Sequence, residues 1–302
     1  MKHSRGLLVS LPFPQRRRPW PIAIKGFGWF VLLLGLGLGT FPVNAYVLQG
    51  AHILELMVKT LDKVHSARIV QKVFVEEGSA DEQTSPINET ISIAFPDRYR
   101  LETNLQKGQR IDVAVFDQTL TVFDGHIVDN PDARLDQYKD LLLYRSRPLL
   151  YRKLLIHGVD VEKTSLGRYE DQIVYVLGAQ YPDESPAQVW VNKDSFLPLR
   201  WIDTSSSVSG DSLEFVYRQW QKRGDLWYPL KIETYRNHRL IRRIEVADIV
   251  VNPSLPAELF DIPHLMEKYP TAPKVEADKP SSTAPTDEVK RTIEEFQKKF
   301  DD

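Results

Sequence analysis

Alternation of apolar and polar residues with a period of two recurs along most of this chain. It limits the possible folds more than any other feature. Ile91-Ser92-Ile93-Ala94-Phe95 alternates, and so does Ile111-Asp112-Val113-Ala114-Val115. Thr119 to Phe123 is a further β-rich run, ended by the turn pair Asp124-Gly125. Strand-like runs resume over 173–179, 188–192, 199–204, 213–220, 228–235 and 240–250. Turn formers separate them: Pro182-Asp183, Lys193-Asp194, Ser209-Gly210-Asp211, Arg223-Gly224-Asp225 and Asn237-His238. Side chains of a strand point alternately to its two faces, so each run offers one apolar face. Nine strands in series predict an antiparallel sheet. Two helical segments accompany it. Over 48–64, Ile53, Leu56, Met57, Leu61 and Val64 recur at helical spacing. The stretch 140–157 is leucine-rich, and Pro148 divides it into two short helices by sitting in the first turn of the second. So few helices cannot cover so large a sheet. The residues leave two architectures open: a sandwich, or a sheet that curls around an apolar hollow.

The first 45 residues have a different character. They hold six basic residues (Lys2, Arg5, Arg16, Arg17, Arg18 and Lys25) and no acidic one. An apolar run from Gly26 to Phe41 follows, then Val43-Asn44-Ala45 with small residues where a signal peptidase reads. Basic, apolar and small segments in that order predict a signal peptide, cleaved between Ala45 and Tyr46. The alternative is an uncleaved membrane anchor, but the run of about 16 residues falls short of the roughly 20 that a span needs. Either way the remainder is expected in the periplasm. Without its first 45 residues the chain keeps 33 of its 39 basic residues against all 41 acidic ones. So acidic a body argues against nucleic acid as a partner. No cysteine is present, which removes disulfides, thiolate metal sites, a cysteine nucleophile and a lipidated cysteine together. At the other end, Pro270, Pro273, Pro280 and Pro285 mark a linker over 269–286. Residues 287–302 read as a tail helix, with Val289, Ile293, Phe296 and Phe300 on one face.

Catalytic patterns are weak. Gly210-Asp211-Ser212-Leu213 spells the nucleophile block of GDSL esterases, and Asp261-Ile262-Pro263-His264 supplies an Asp-x-x-His. The stretch between them is strand-like and lacks the strand–helix alternation that such a hydrolase needs, so it reads as a hairpin turn. None of the seven histidines forms a metal-binding pair. No phosphate-cradling glycine loop exists. The sequence predicts no enzyme, no metal and no cofactor.

Several motifs then decide between sandwich and curl. Trp190-Val191-Asn192, Leu197-Pro198, Gly224 with Trp227-Tyr228-Pro229, and Asn252 to Phe260 follow one another. Upstream stand the opening helix and Phe95-Pro96-Asp97-Arg98-Tyr99-Arg100. In order and spacing these resemble the outer-membrane lipoprotein-sorting proteins, the LolA-like periplasmic carriers, over roughly 46–265. One departure is Phe95, where that group often has a basic residue before the proline. The resemblance implies a mainly β fold: an incomplete, strongly curved antiparallel barrel over 46–268, with helices covering its concave face. It also implies a non-catalytic carrier of lipoprotein acyl chains or other lipids. The alternative is a lipid-sensing regulatory module with a membrane-protein partner in the envelope.

Alternation then nominates a lipid-facing set. It comprises Ile91, Ile93 and Phe95; Val113 and Val115; Leu199 and Trp201; Leu213, Phe215 and Tyr217; Leu230 and Ile232; and Ile244 and Val246. All are expected on the concave side, some as core and some as cavity wall. A cavity wall tolerates polar change better than packed core. On that ground Trp201→Ser and Phe215→Ser are expected to stay folded while losing fatty-acid uptake.

Overall fold

Thirteen antiparallel strands lie in one sheet, in the order β6-β5-β4-β3-β2-β1-β13-β12-β11-β10-β9-β8-β7. They are β1 (Ser66–Val75), β2 (Ile87–Ala94), β3 (Arg98–Leu105), β4 (Gly108–Val115), β5 (Gln118–Phe123), β6 (His126–Val128), β7 (Thr164–Tyr169), β8 (Gln172–Leu177), β9 (Gln188–Asn192), β10 (Pro198–Asp203), β11 (Leu213–Arg223), β12 (Leu226–Arg236) and β13 (Arg239–Val251). The computed structural model describes residues 47–61, 63–76, 85–105, 108–129, 134–204 and 211–272. The signal segment with Ala45 and Tyr46, Gly210, the linker beyond Ala272 and the tail helix lie outside the described residues.

The topology explains why helices cover one face. Two meanders, β1–β6 and β7–β13, join through the β1–β13 pair. Strands β6 and β7 are neighbours in sequence but stand at opposite edges. The chain between them must therefore cross a face of the sheet. That crossing carries a 3₁₀ turn (Leu135–Lys139) and the helices α2 (Asp140–Leu143) and α3 (Arg147–Ile156). Pro148 stands at the start of α3, where a missing N–H costs nothing. Helix α1 (Gly50–Leu61) packs beside α3 on the same side. We call this covered side the inner face. The sheet is open, and an open sheet of this many strands curls through accumulated twist.

The core lies between the inner face and the cover. From α1 it takes Ile53, Leu54, Met57 and Leu61. From the crossing it takes Leu141, Leu142, Leu143, Leu150 and Leu154. Each fully buried side chain contributes about 1.5–3 kcal/mol. Helix α1 ends where the Arg145 guanidinium bonds the Leu61 carbonyl, satisfying one orphan C-terminal acceptor. At the helix start a Cβ on Gly50 would lie 1.8 Å from the Val161 carbonyl oxygen. Gly50→Ala is therefore expected to destabilise by about 1–3 kcal/mol, although alanine favours helix by about 1 kcal/mol. Urea denaturation measures this, and an unchanged midpoint would refute the close approach.

The outer face is covered only in part. Residues after β13 form a 3₁₀ turn (Ala257–Phe260) and α4 (Ile262–Lys268). Ile262 and Leu265 pack there on Ile111, Val113, Leu120 and Val122. The chain continues past the expected domain end at 268. Tyr269 packs on the same cluster, and Pro270 and Ala272 bond with the backbone of Ile127 in β6. Two sequence motifs are structural in role. The Asn252 side chain, on a residue at φ 53°, accepts from the His65 and Ser66 N–H groups and fixes the start of β1. The Trp190 indole donates to Gln188 on the outer face.

Candidate ligand-binding face

The structure brings most of the nominated set together. Ile91, Ile93, Trp201, Leu213, Phe215, Tyr217, Ile232 and Ile244 all lie buried in the inner cluster. Phe95 and Val246 pack at its margin. Leu230 follows by alternation between Tyr228 and Ile232 and is half-buried.

Three members are on the other side. Val113 and Val115 face outward, onto the cluster under α4. Asp112, expected at the surface, points inward instead. It pairs with Arg110 at 2.8 Å and accepts from Thr121 at 2.6 Å. Leu199 also faces outward, with Val174, Val176 and Trp190. Its register against β9 shifts between Pro198 and Arg200, so Leu199 and Trp201 do not share a face despite their spacing.

Between sheet and cover the inner side is filled. Trp201 and Phe215 are 0% exposed, and their rings lie 5.6 Å apart. These two positions are packed core in this state, not cavity wall. At one end of the inner face lies a cavity of about 30 Å³, lined by Thr103, Arg110, Asp136 and Arg242 among others. That is room for about one water.

Polar groups concentrate at the two ends of the cover. At one end Asp136 accepts from Arg242 at 3.0 Å and from Arg110 at 3.3 Å. Gln71 donates to Glu89 at 2.6 Å and to the Tyr138 hydroxyl at 3.2 Å. The Tyr217 hydroxyl donates to the Tyr138 carbonyl at 2.8 Å. Burial pushes the Glu89 carboxyl up, and Arg242 only partly opposes it. Burial also pushes Asp136 up, but Arg242, Arg110 and Lys139 outweigh it and hold that carboxyl below the usual range. At the other end the Tyr144 hydroxyl bonds the Phe116 carbonyl at 3.1 Å, and the Arg145 guanidinium lies 3.7 Å over the Phe95 ring. Between these ends the contact of cover and sheet is apolar apart from His157, which lies 3.8 Å from Asp203 of β10.

Sequence reading gave no hint of the polar end. Gln71, Glu89, Arg110, Asp136 and Arg242 come from four strands and the crossing, with no local pattern. The same holds for His157, which lies 3.8 Å from both Asp140 and Asp203 and edge-on to Trp201. The esterase-like residues are far apart. Ser212 precedes β11 and is tied to Asn237, whereas His264 sits in α4, which packs against β5. Six strands of the sheet lie between β11 and β5. Among the described residues, no group of three or more His, Asp or Glu side chains could hold a metal ion.

No family model matches the chain, and no curated protein matches it. Among solved structures it is similar to a domain described as an outer membrane lipoprotein-sorting protein from Vibrio parahaemolyticus. That match has 10% identity and a TM-score of 0.47, and covers 72% of this chain and 97% of the other. It is similar to a LolA superfamily protein from Nitrosomonas europaea, at 14% identity and a TM-score of 0.45, over 72% and 100%. It is similar to a DUF1329 family protein from Desulfovibrio piger, at 12% identity and a TM-score of 0.49, over 72% and 97%. The likeness is one of fold alone. The LolA-like group named from the sequence motifs is among these structures.

Proposed function

We propose that the protein is a non-catalytic periplasmic carrier. It binds acyl chains, of a lipoprotein or another lipid, between the inner face of the sheet and its helical cover. One observation carries this reading. The inner face meets the leucines of short helices rather than a second sheet, so its apolar layer can be uncovered without breaking a strand pair. Each buried methylene contributes about 0.8 kcal/mol, so a dozen hold a chain firmly without chemistry. The filled layer means that a chain enters only as the cover lifts. Helices of 4 and 10 residues are marginal alone and depend on packing, which suits a removable layer. The basic, apolar and small order of the first 45 residues supports export. Among the described residues no helix is long and apolar enough to cross a membrane.

Protein taken from the periplasm is expected to carry lipid, read by native mass spectrometry, and the emptied protein to take up a fluorescent long-chain fatty acid. Tyr217→Phe removes one tie of the cover, worth about 0.5–1.5 kcal/mol, so uptake is expected to quicken by about 2- to 12-fold. Absence of both copurified lipid and uptake would overturn the reading. A second reading is a regulatory module with a membrane-protein partner. Phe116, Leu155 and Ile156, all more than half exposed, favour it. Partner capture that depends on Leu155 and Ile156, without lipid uptake, would select it.

A further inference from the structure

A second concavity opens at the turn end of β7–β10, and Leu197 and Tyr217 of the inner cluster form part of its lining. It is a cleft of about 490 Å³ beside the β7–β8 and β9–β10 turns, bounded by residues 217–220 of β11. Its size falls in the range of small-ligand sites, about 300–1,000 Å³. Two aromatic rings stand in its wall, Tyr169 and Trp220, both half-buried. Both are held in place before any ligand arrives. Tyr169 meets the Trp190 ring edge-on at 5.4 Å, and the Arg200 guanidinium lies 5.7 Å over it. The Trp220 indole donates to the Pro198 carbonyl at 3.0 Å.

The charges of the cleft are already matched to one another. Arg218 gives both carboxylate oxygens of Glu170 a hydrogen bond, at 2.7 and 2.8 Å, and reaches Glu233 at 2.7 Å. A phosphate or carboxylate ligand would have to break that pairing, and so would a cation. Its other polar side chains are neutral and exposed: Gln219, Gln172, whose amide oxygen accepts from Asn192 at 2.7 Å and whose NH₂ is left to donate, and Ser195, whose hydroxyl donates to Asn192 at 2.9 Å. Gln219 has φ 55° in the middle of β11, while the pairing with β12 keeps its register on both sides. Such a residue persists only where its surroundings over-determine it, and such residues cluster at ligand sites.

We propose that this cleft binds a neutral saccharide. A pyranose ring has an apolar C–H face, which fits the flat walls of Tyr169 and Trp220. Its rim of hydroxyls fits amide and hydroxyl side chains and needs no net charge. The site shares Leu197 and Tyr217 with the inner cluster but opens beside the turns, so saccharide binding and lipid uptake are separate readouts.

The test is titration of the full chain with maltose and with N,N′-diacetylchitobiose, followed by NMR of the Trp220 indole N–H. Glucose 6-phosphate and choline serve as the anionic and cationic probes. A saturable shift of that resonance is expected for a neutral disaccharide at millimolar concentration. Gln172→Ala, at the exposed first residue of β8, and Trp220→Leu, which keeps an apolar side chain, are each expected to weaken binding at least about 10-fold, or 1.4 kcal/mol. If Trp220→Leu fails to fold, Gln172→Ala decides alone. No shift up to about 10 mM with either disaccharide, or tighter binding of a charged probe, overturns the proposal.

Discussion

Trp201→Ser and Phe215→Ser are expected to cost the fold about 3–5 kcal/mol each, enough to leave the protein largely unfolded if its stability is ordinary. Both side chains are fully buried, so truncation opens a cavity whose lining loses its contacts. Trp201 touches Phe215 and the ring of His157, which lies 5.1 Å away. Phe215 is held by β11 and His157 by the end of α3, so neither can fill the space without moving a packed element. The new hydroxyl adds about 1–3 kcal/mol where it finds no partner. This reverses what alternation alone suggests for these positions. Urea denaturation followed by circular dichroism measures the effect. A loss below about 1 kcal/mol would show that these residues border open space. An acyl chain then needs no movement of the cover.

The same positions show what alternation can and cannot reveal. Eight of the nominated residues reach the buried inner cluster because period two correctly sorts each strand into faces. It does not say which face is inward. In β4, Asp112 looks like a surface residue, so Val113 and Val115 are assigned to the core side. In fact α4 covers the outer side of β4, and a charge network awaits Asp112 inside. Helix α4 has only seven residues and follows a proline-rich stretch, so it leaves little periodic signal. The signal is also silent over β1. There the inward position 71 carries a glutamine, buried because it bonds Glu89 and Tyr138. Strand β6 has three residues, too few for a pattern. Leu199 fails for a third reason, a register shift that no spacing records. Elements and turns were legible because they depend on local residues. The polar end of the cover depends on residues far apart in sequence.

That architecture gives the carrier reading its mechanical content. The crossing from β6 to β7 is fixed at its polar ends and in between meets the sheet through leucines and the His157–Asp203 contact. Hydrogen bonds to charged groups are worth about 1.5–3 kcal/mol, more than neutral ones. The end at Asp136, where the ion pairs are buried, is therefore the stronger clamp. At the Tyr144 end Arg152 and Lys153 pair with Asp117, but that carboxylate is exposed and such pairs are worth only about 0–1 kcal/mol. Opening is expected to begin where Tyr144, Arg145 and α3 meet the Phe95 and Phe116 turns.

The clamp itself supplies the second large effect. Asp136→Asn is expected to destabilise by about 3–5 kcal/mol, because it leaves the buried Arg242 short of a countercharge. Glu89→Gln is expected to cost far less, within about 1.5 kcal/mol. Glu89 also faces Arg242, but at 3.6 Å against 3.0 Å for Asp136. Burial raises its carboxyl in spite of that pair, so its charged form is the strained one, and a glutamine can still accept from Gln71. The pH dependence separates the two. Asp136 is held below its unfolded value. Its contribution is therefore present above about pH 4 and lost as pH falls through the depressed folded value. Glu89 is held above its unfolded value, so the fold takes up a proton there on acidification, and stability falls as pH rises through the raised value. The Asp136→Asn variant should lose the acid-side decline that this carboxyl gives the wild type. The Glu89→Gln variant should lose the weakening that accompanies Glu89 ionisation, and so gain on the wild type as pH rises. Urea midpoints measured from pH 3 to pH 8 decide. Equal losses for the two variants at neutral pH would show that Asp136 is not the carboxylate that clamps the cover to Arg242.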